Sequence, residues 1–320
     1  DYDPAINTYG RALLVGVLNT LKVAVVGVAL ATILGTVIGV ARLSHNWLVA
    51  KITAVYVEVV RDVPVLLQLL FWYSALQGLP APRQSFHPLP GVFLSNRGIK
   101  VPLLEWEGAF WWALLALVIG AVGTWAWSRA ATRRQEQTGR RPPVWPVALA
   151  LLVGLPVAVW AALGAPWQVE MPELRGFNFQ GGATLSPEYG ALTLGLVIYT
   201  AAYIAEIVRS GILAVPTGQW EAAGALGLHR GMVLRKIVLP QALRVIIPPM
   251  TSQYLNLTKN SSLAVAIGYQ DIVSIANTTL NQTGQAIEGI AMIMLVYLVI
   301  SLSISLFMNW YNARIALVER

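Results

Sequence analysis

Long apolar runs separated by short polar gaps dominate this chain. A helix needs about 20 residues to cross the hydrocarbon core of a bilayer. Seven stretches are read as spans on that basis: Leu13–Leu43, Val55–Leu76, Ala109–Trp127, Val144–Leu163, Tyr189–Val208, Val245–Ile267 and Ile287–Trp310. In the first, Gly35 and Gly39 are four apart on one helix face and favour close helix packing. In the second, Pro64 predicts a kink, because its ring clashes with the preceding turn and its nitrogen carries no proton. Glu58, Arg61 and Asp62 are read there as interfacial ion partners. Gln68, deeper in the run, is expected to face protein or a cavity rather than lipid. The pattern predicts an all-α integral membrane protein.

Composition agrees: 56% of residues are hydrophobic and 12% charged. The net charge of +7 would suit nucleic acid, but the basic residues are distributed as an orientation signal. Alternate gaps and the C-terminus hold 14 of the 22, including Arg42, Arg133, Arg141, Arg235 and Arg320, against five on the opposite side. The richer side is expected to be cytoplasmic, which puts the visible N-terminus outside and the C-terminus inside. Position 1 is Asp rather than Met, so the translated start is expected upstream.

Residues Gly78–Pro187 stand apart, with twelve of the eighteen prolines and eight of the twelve tryptophans. This zone reads as an insertion: a Pro-rich outside segment, two spans around a basic loop, and a second outside loop. Trp106, Trp111, Trp112, Trp125, Trp127, Trp145 and Trp167 lie near predicted span ends, as an interfacial belt requires. The flanking stretches, 10–77 and 188–314, form the expected core.

Enzyme chemistry finds little support. There is no cysteine, no Gly-x-x-x-x-Gly-Lys-Ser/Thr and no Gly-x-Ser-x-Gly, and His45, His87 and His229 are scattered. Energy for any active process must come from a partner. Residues 216–240 predict a short helix from Pro216–Trp220, a turn at Gly227 and a second helix interrupted by Pro240, an exposed hairpin suited to docking. Lys259, followed by Asn260, Ser261 and Ser262, lies in an otherwise apolar run. A lysine at mid-membrane costs about 2.5–3.5 kcal/mol, so it faces the bundle interior or water. An ammonium beside hydroxyl and amide groups suits a carboxylate; the competing reading is a snorkelling or ion-paired lysine. Glu206, three residues before Arg209, is a candidate for an amino group, or an interfacial ion pair or gate contact. Gln68 is either a pathway residue or a helix–helix hydrogen bond.

Motifs now add a family. Glu221-Ala222-Ala223, three residues, Gly227, nine residues, then Ile237-x-Leu239-Pro240 is similar to the EAA signature of bacterial ABC-importer permeases. Arg42-Leu-Ser44, Tyr56-Val-Glu58, Arg61-x-x-Pro64-x-Leu66-Leu67-Gln68, Ala205-Glu206-Ile-Val-Arg209-Ser-Gly211 and Lys259-Asn260-Ser261-Ser262-Leu263 resemble the permeases of polar amino-acid importers. The enlarged middle resembles the bigger permeases of general L-amino-acid importers, which tend to carry an extra N-terminal span. The resemblance implies a five-span core with an inserted pair of helices, acting as one transmembrane domain over residues 1–320. It implies a second, homologous permease as a heterodimer partner, two ATPase subunits that bind ATP and Mg, and an extracytoplasmic amino-acid-binding protein. This chain would hold no cofactor and would sit in the bacterial inner membrane, with the EAA residues coupling it to the ATPases.

Two positions depart from the pattern. Asp62-Val63 stands where the family often has Gly-Thr, and Gln270-Asp271-Ile272 where it often has Pro-Glu-Leu. They bear on the extracytoplasmic contact surface and specificity, not on the coupling signature. The alternatives are an ABC-importer permease for another small polar solute and a membrane scaffold without transport.

Overall fold

A computed structural model describes residues 8–104, 108–139, 142–164 and 169–315. The expectations for Trp106, Trp167, Arg140, Arg141 and Arg320 lie outside the described residues. In chain order the helices are α1 (Tyr9–Ala41), α2 (Trp47–Asp62), α3 (Val65–Gln77), α4 (Gly108–Thr138), α5 (Trp145–Leu149), α6 (Leu155–Ala162), α7 (Pro187–Leu213), α8 (Thr217–Ala225), α9 (Arg230–Val233), α10 (Leu239–Asn260), α11 (Ile272–Thr283) and α12 (Ala286–Ile315). Short strands are β1 (Phe86–Leu89), β2 (Val92–Ser95), β3 (Gly98–Val101), β4 (Leu103–Leu104), β5 (Val169–Glu170), β6 (Glu173–Arg175), β7 (Asn178–Gln180) and β8 (Ala183–Leu185). The chain divides into two compact units: Asp1–Pro80 with Ser95–Gly98 and Leu185–Arg320, and Ala81–Leu94 with Ile99–Thr184.

The first unit is built on α1 against α7. Small residues recur along the buried face of α1, at Gly27, Ala31, Gly35 and Gly39. A methyl group added at Gly35 would stand 2.8 Å from the Ala201 carbonyl oxygen, and one at Gly39 2.6 Å from that of Ala205. The α7 backbone, with the branched side chains of Ile204 and Val208, thus lies directly on these two glycines, the close approach that small residues permit in lipid. On the other flank of α7, Leu69 of α3 fills the space that Gly195 leaves open, and Val57 of α2 packs on Ala202 and Ala205.

Pro64 divides what was expected to be one span, Val55–Leu76, into α2 and α3. Lacking an N–H, it cannot satisfy the Val60 carbonyl four residues earlier. The Gln68 side-chain amide takes over, donating to Val60 O at 2.9 Å and to Val63 O at 3.0 Å. The expected span Val245–Ile267 is likewise not one continuous apolar helix, but the latter half of α10 followed by a 3-10 segment, Ser261–Ile267. Among the described residues, five helices suffice by length and composition to cross a membrane: Tyr9–Ala41, Phe110–Thr138, Trp145–Ala162, Pro187–Leu213 and Ala286–Arg314. The other two expected spans, Val55–Leu76 and Val245–Ile267, are each made of two shorter helical segments. At Pro64 the expected kink is a break between two helices, whereas Pro248 and Pro249 lie within a continuous α10.

Beyond α10, Gly268 at φ +77° ends the 3-10 segment and Asp271 starts α11. Asp271 is 1% exposed. It accepts from Ser274 N at 2.9 Å, and Tyr297 Oη donates to its second oxygen at 3.5 Å. Burial pushes its carboxyl up to about 6. Thr20 and Asn19 of α1 hold the same turn, Thr20 Oγ1 accepting from Ile272 N and Asn19 Nδ2 donating to Gln270 O.

The second unit packs α4 against the α5–α6 helix, which contains a π turn at Ala150–Gly154. Gly120 lies directly under the Leu151 carbonyl. The two loops expected on the outside contain the strands, which an all-α reading omitted. They form a four-stranded sheet of order β1-β2-β3-β8 and the pairs β4–β5 and β6–β7. Strands of two to four residues are too short to display alternation along the sequence. Their turns rest on glycines with positive φ, among them Gly91 and Gly176.

Candidate functional site

The 216–240 segment folds as a helix hairpin closed by a specific turn. At the end of α8, Leu228 N donates to Ala223 O at 3.2 Å and Gly227 N to Gly224 O at 2.9 Å. This double closure is the Schellman motif, and it requires a left-handed residue at the penultimate position. Gly227 supplies it, with φ +70° and no heavy atom within 4 Å of where a side chain would begin. The glycine is needed for its backbone angle, not for space. Ala223 is buried with Val215, Val233 and Val238, against which Trp220, Leu228 and Ile237 pack. Gln241 Nε2 donates to Gln219 Oε1 at 3.5 Å, tying α8 to α10.

Glu221, Ala222, Gly227, Leu239 and Pro240 are exposed, and Ile237 is half-buried. Leu226, at the tip, is 78% exposed. Pro240 does not interrupt the second helix as expected. The turn ahead of it, Leu234–Val238, widens into a π turn in which Leu239 N bonds Leu234 O, and α9 runs through it into α10. A proline can join a helix at the position that follows a rewound turn, where its missing proton is not called on.

The candidates within the spans separate into three groups. Gln68 is spent on the Pro64 break. Glu206 is the acceptor of a cluster: Arg42, which caps the end of α1, bonds one carboxylate oxygen, and Arg209 bonds both, at 2.6 Å and 3.2 Å. It thus binds α1 to α7 as the ion pair that was one of its two readings. Ser261 and Ser262 donate to the carbonyls of Thr258 and Lys259, each at 2.7 Å, so their protons are used within the helix end. Lys259 itself is exposed in the last turn of α10.

Lys259 belongs to a larger pattern that single positions had not revealed. Ser252, Asn256 and Lys259 are exposed and Gln253 and Asn260 half-buried, all on one face of α10 by their three- and four-residue spacing. The adjoining face is held by protein, through Leu257 against Gly27 and Ile246 against Gly211. Arg61 also behaves differently from the expected ion partner. Among the described residues no carboxylate pairs with it, and its guanidinium lies 4.9 Å from the ring centroid of Tyr203. The Tyr203 and Tyr199 hydroxyls are 3.1 Å apart. A signal for this site existed in Tyr199, Tyr203 and Glu206, which share one face of α7.

Residues 142–317 match the model of the family described as the binding-protein-dependent transport system inner membrane component. The chain belongs to this family. Among its relatives, the general L-amino acid transport system permease protein AapQ of Rhizobium johnstonii is 53% identical over 98% of this chain and 79% of its own length. The glutamate/glutamine/aspartate/asparagine transport system permease protein BztB of Rhodobacter capsulatus is 43% identical over 98% and 81%. The fold is shared with the crystal structure of an amino acid ABC transporter with histidines, at a TM-score of 0.57 and 20% identity over 96% of this chain and 95% of that one. An inward-facing structure of the MetNI methionine ABC transporter aligns at a TM-score of 0.55 and 13% identity, over 99% of this chain and 100% of that one. As a permease-family member with several apolar helices, the chain is a multi-pass inner-membrane subunit of a transport system.

Proposed function

We propose that this permease imports amino acids, as one of two homologous transmembrane halves driven by two ATPase subunits and loaded by an extracytoplasmic binding protein. The observation that carries the reading is the polar face of α10. Hydroxyl, amide and ammonium groups along a membrane helix do not face hydrocarbon without a penalty. Ser252, Asn256 and Lys259 are therefore read as the wall of a water-accessible path completed by the second permease, with Lys259 attracting the carboxylate of the solute. The amino-acid class is supported by AapQ and BztB, which match nearly the whole of this chain and whose names specify amino acids.

The exposed α8–Gly227–α9 hairpin is read as the coupling element. Glu221, Ala222 and Leu226 would enter a cleft of an ATPase, while Ala223, Ile237 and Val238 hold the hairpin rigid against α10. ATP and Mg belong to that partner. The basic excess at this end favours a cytoplasmic hairpin and C-terminus. The test is reconstitution of the permease pair with its ATPases in proteoliposomes. Uptake of labelled amino acids is expected only with binding protein outside and ATP inside. No uptake of any amino acid by the complete assembly, or uptake that ignores ATP, would overturn the reading.

A further inference from the structure

The second unit carries a basic cleft for which transport gives no use. It has a volume of about 360 Å³ and is lined by Ser128, Arg129, Thr132, Arg133 and Glu136, on one face of α4. Its depth follows from the helix. Phe110–Trp127 carries no charge and is about 27 Å long at 1.5 Å per residue, against a hydrocarbon layer of about 30 Å. Arg129 and Arg133 therefore follow directly on the hydrocarbon, at the level of the lipid phosphates. Trp125, Trp127 and Trp145 are exposed in the same unit, as aromatic residues are at that interface.

Two features separate this cleft from an ordinary solvated face. The Arg129 guanidinium lies 3.9 Å from the ring centroid of Trp125, one turn back along α4. A long basic side chain at a helix end normally carries its charge out to water. Arg129 instead folds toward the hydrocarbon and stacks on the interfacial ring, which fixes the plane of its fork. The Cα–Cβ bond of Arg133 tilts the same way, toward the start of the helix. The charges are also not neutralised within the protein. Residues 128–145 hold five arginines and one carboxylate, Glu136. Among the described residues, no ion pair joins Glu136 to Arg129, Arg133 or Arg134.

We propose that this cleft binds the head group of an anionic phospholipid with a glycerol head, its phosphodiester held between Arg129 and Arg133, and so ties the inserted helix pair to one leaflet. Two guanidinium forks match the non-bridging phosphate oxygens, and Ser128 adds a hydroxyl at the wall. Glu136, at the outer end, is an acceptor for the glycerol hydroxyls. A zwitterionic lipid carries the same phosphate, but its ammonium group meets repulsion from the surrounding arginines. This site is independent of the solute and of the importer reading.

The test titrates phosphatidylglycerol, and phosphatidylcholine of the same acyl chains, into the delipidated permease–ATPase assembly. Bound lipids are counted by native mass spectrometry. One phosphatidylglycerol per copy of this chain is expected to bind at concentrations where phosphatidylcholine does not. Arg129→Gln and Arg133→Gln should each raise its apparent Kd by about fivefold. Trp125→Leu, which removes the stack and no charge, should raise it by about threefold. Arg134→Gln removes the same charge from the same stretch of α4 but lies outside the cleft, and should leave the Kd unchanged. If Arg129→Gln does not assemble, Arg133→Gln and Trp125→Leu carry the test. An equal loss in Arg134→Gln and Arg133→Gln would mean diffuse attraction to charge and would overturn the site. So would wild-type binding in both Arg133→Gln and Trp125→Leu, or equal binding of the two lipids. An assembly that binds the lipid as expected but imports no amino acid would leave the site standing and remove the importer reading alone.

Discussion

Gly227 shows how one residue can be required for its backbone alone. Nothing crowds it, yet its φ of +70° is a conformation that β-branched residues resist. Gly227→Val is expected to lose binding-protein-stimulated ATP hydrolysis or to release the ATPases on purification, whereas Gly227→Asn, which tolerates the left-handed region, should keep most of both. Equal stimulation in the two variants would remove the turn from coupling. Lys259→Met is expected to lose most uptake while the assembly purifies intact, since an apolar side chain costs less in a span. Wild-type uptake by this variant would end its role. The turn glycine was legible because a glycine just past a short helical run marks a left-handed helix end. The task of Gln68 was not legible: its hydrogen bonds run to carbonyls that Pro64 leaves without a donor, and that is visible only once the backbone path is known.

At the scale of elements, the prolines decide most. Gln68→Leu leaves the half-buried Val60 carbonyl without its side-chain donor and should cost about 1 kcal/mol. A fall in thermal stability with solute preference unchanged is the expected result; a changed preference with unchanged stability would return Gln68 to the pathway. The Asp271 turn carries a pH signature. Its carboxyl titrates near 6 in the folded chain, against 3.8 when exposed. The folded state thus holds the proton more tightly than the unfolded state, so stability present below pH about 4 is lost as pH rises through about 6. Asp271→Asn keeps a side-chain oxygen for the Ser274 cap and removes the charge. It should flatten the dependence of melting temperature on pH and melt higher than wild type at pH 7. An unchanged pH profile would show that Asp271 does not titrate there. Sequence pattern placed these helices but could not distinguish a kink from a break, because both follow from the same missing proton. The π turn before Pro240 was equally silent.

For the whole molecule, orientation in the membrane is a prediction from the charge distribution. Thr138 and Asn96 are both exposed. In this cysteine-free chain, single cysteines at the two positions are expected to label from opposite membrane faces, Thr138 from the cytoplasm and Asn96 from outside. Labelling from one face would mean that α4 and the α5–α6 helix do not carry the chain across and back. Membrane helices were legible because hydrophobicity over 20 residues is a strong signal; strands of two to four residues gave none.

The contact of α1 with α7 has a mechanical consequence. Where Gly35 and Gly39 lie on the backbone of α7, the only side chains beside them are the β-branched Ile204 and Val208, which are stiff at χ1, so the seam resists creeping by small side-chain shifts. The Arg42–Glu206 link pins it a turn further on. Any cycle of this permease must therefore carry α1 and α7 as a single welded beam. The compliance has to come from α10, whose rewound turn and paired prolines, Pro248 and Pro249, leave it several backbone bonds short of a stiff rod.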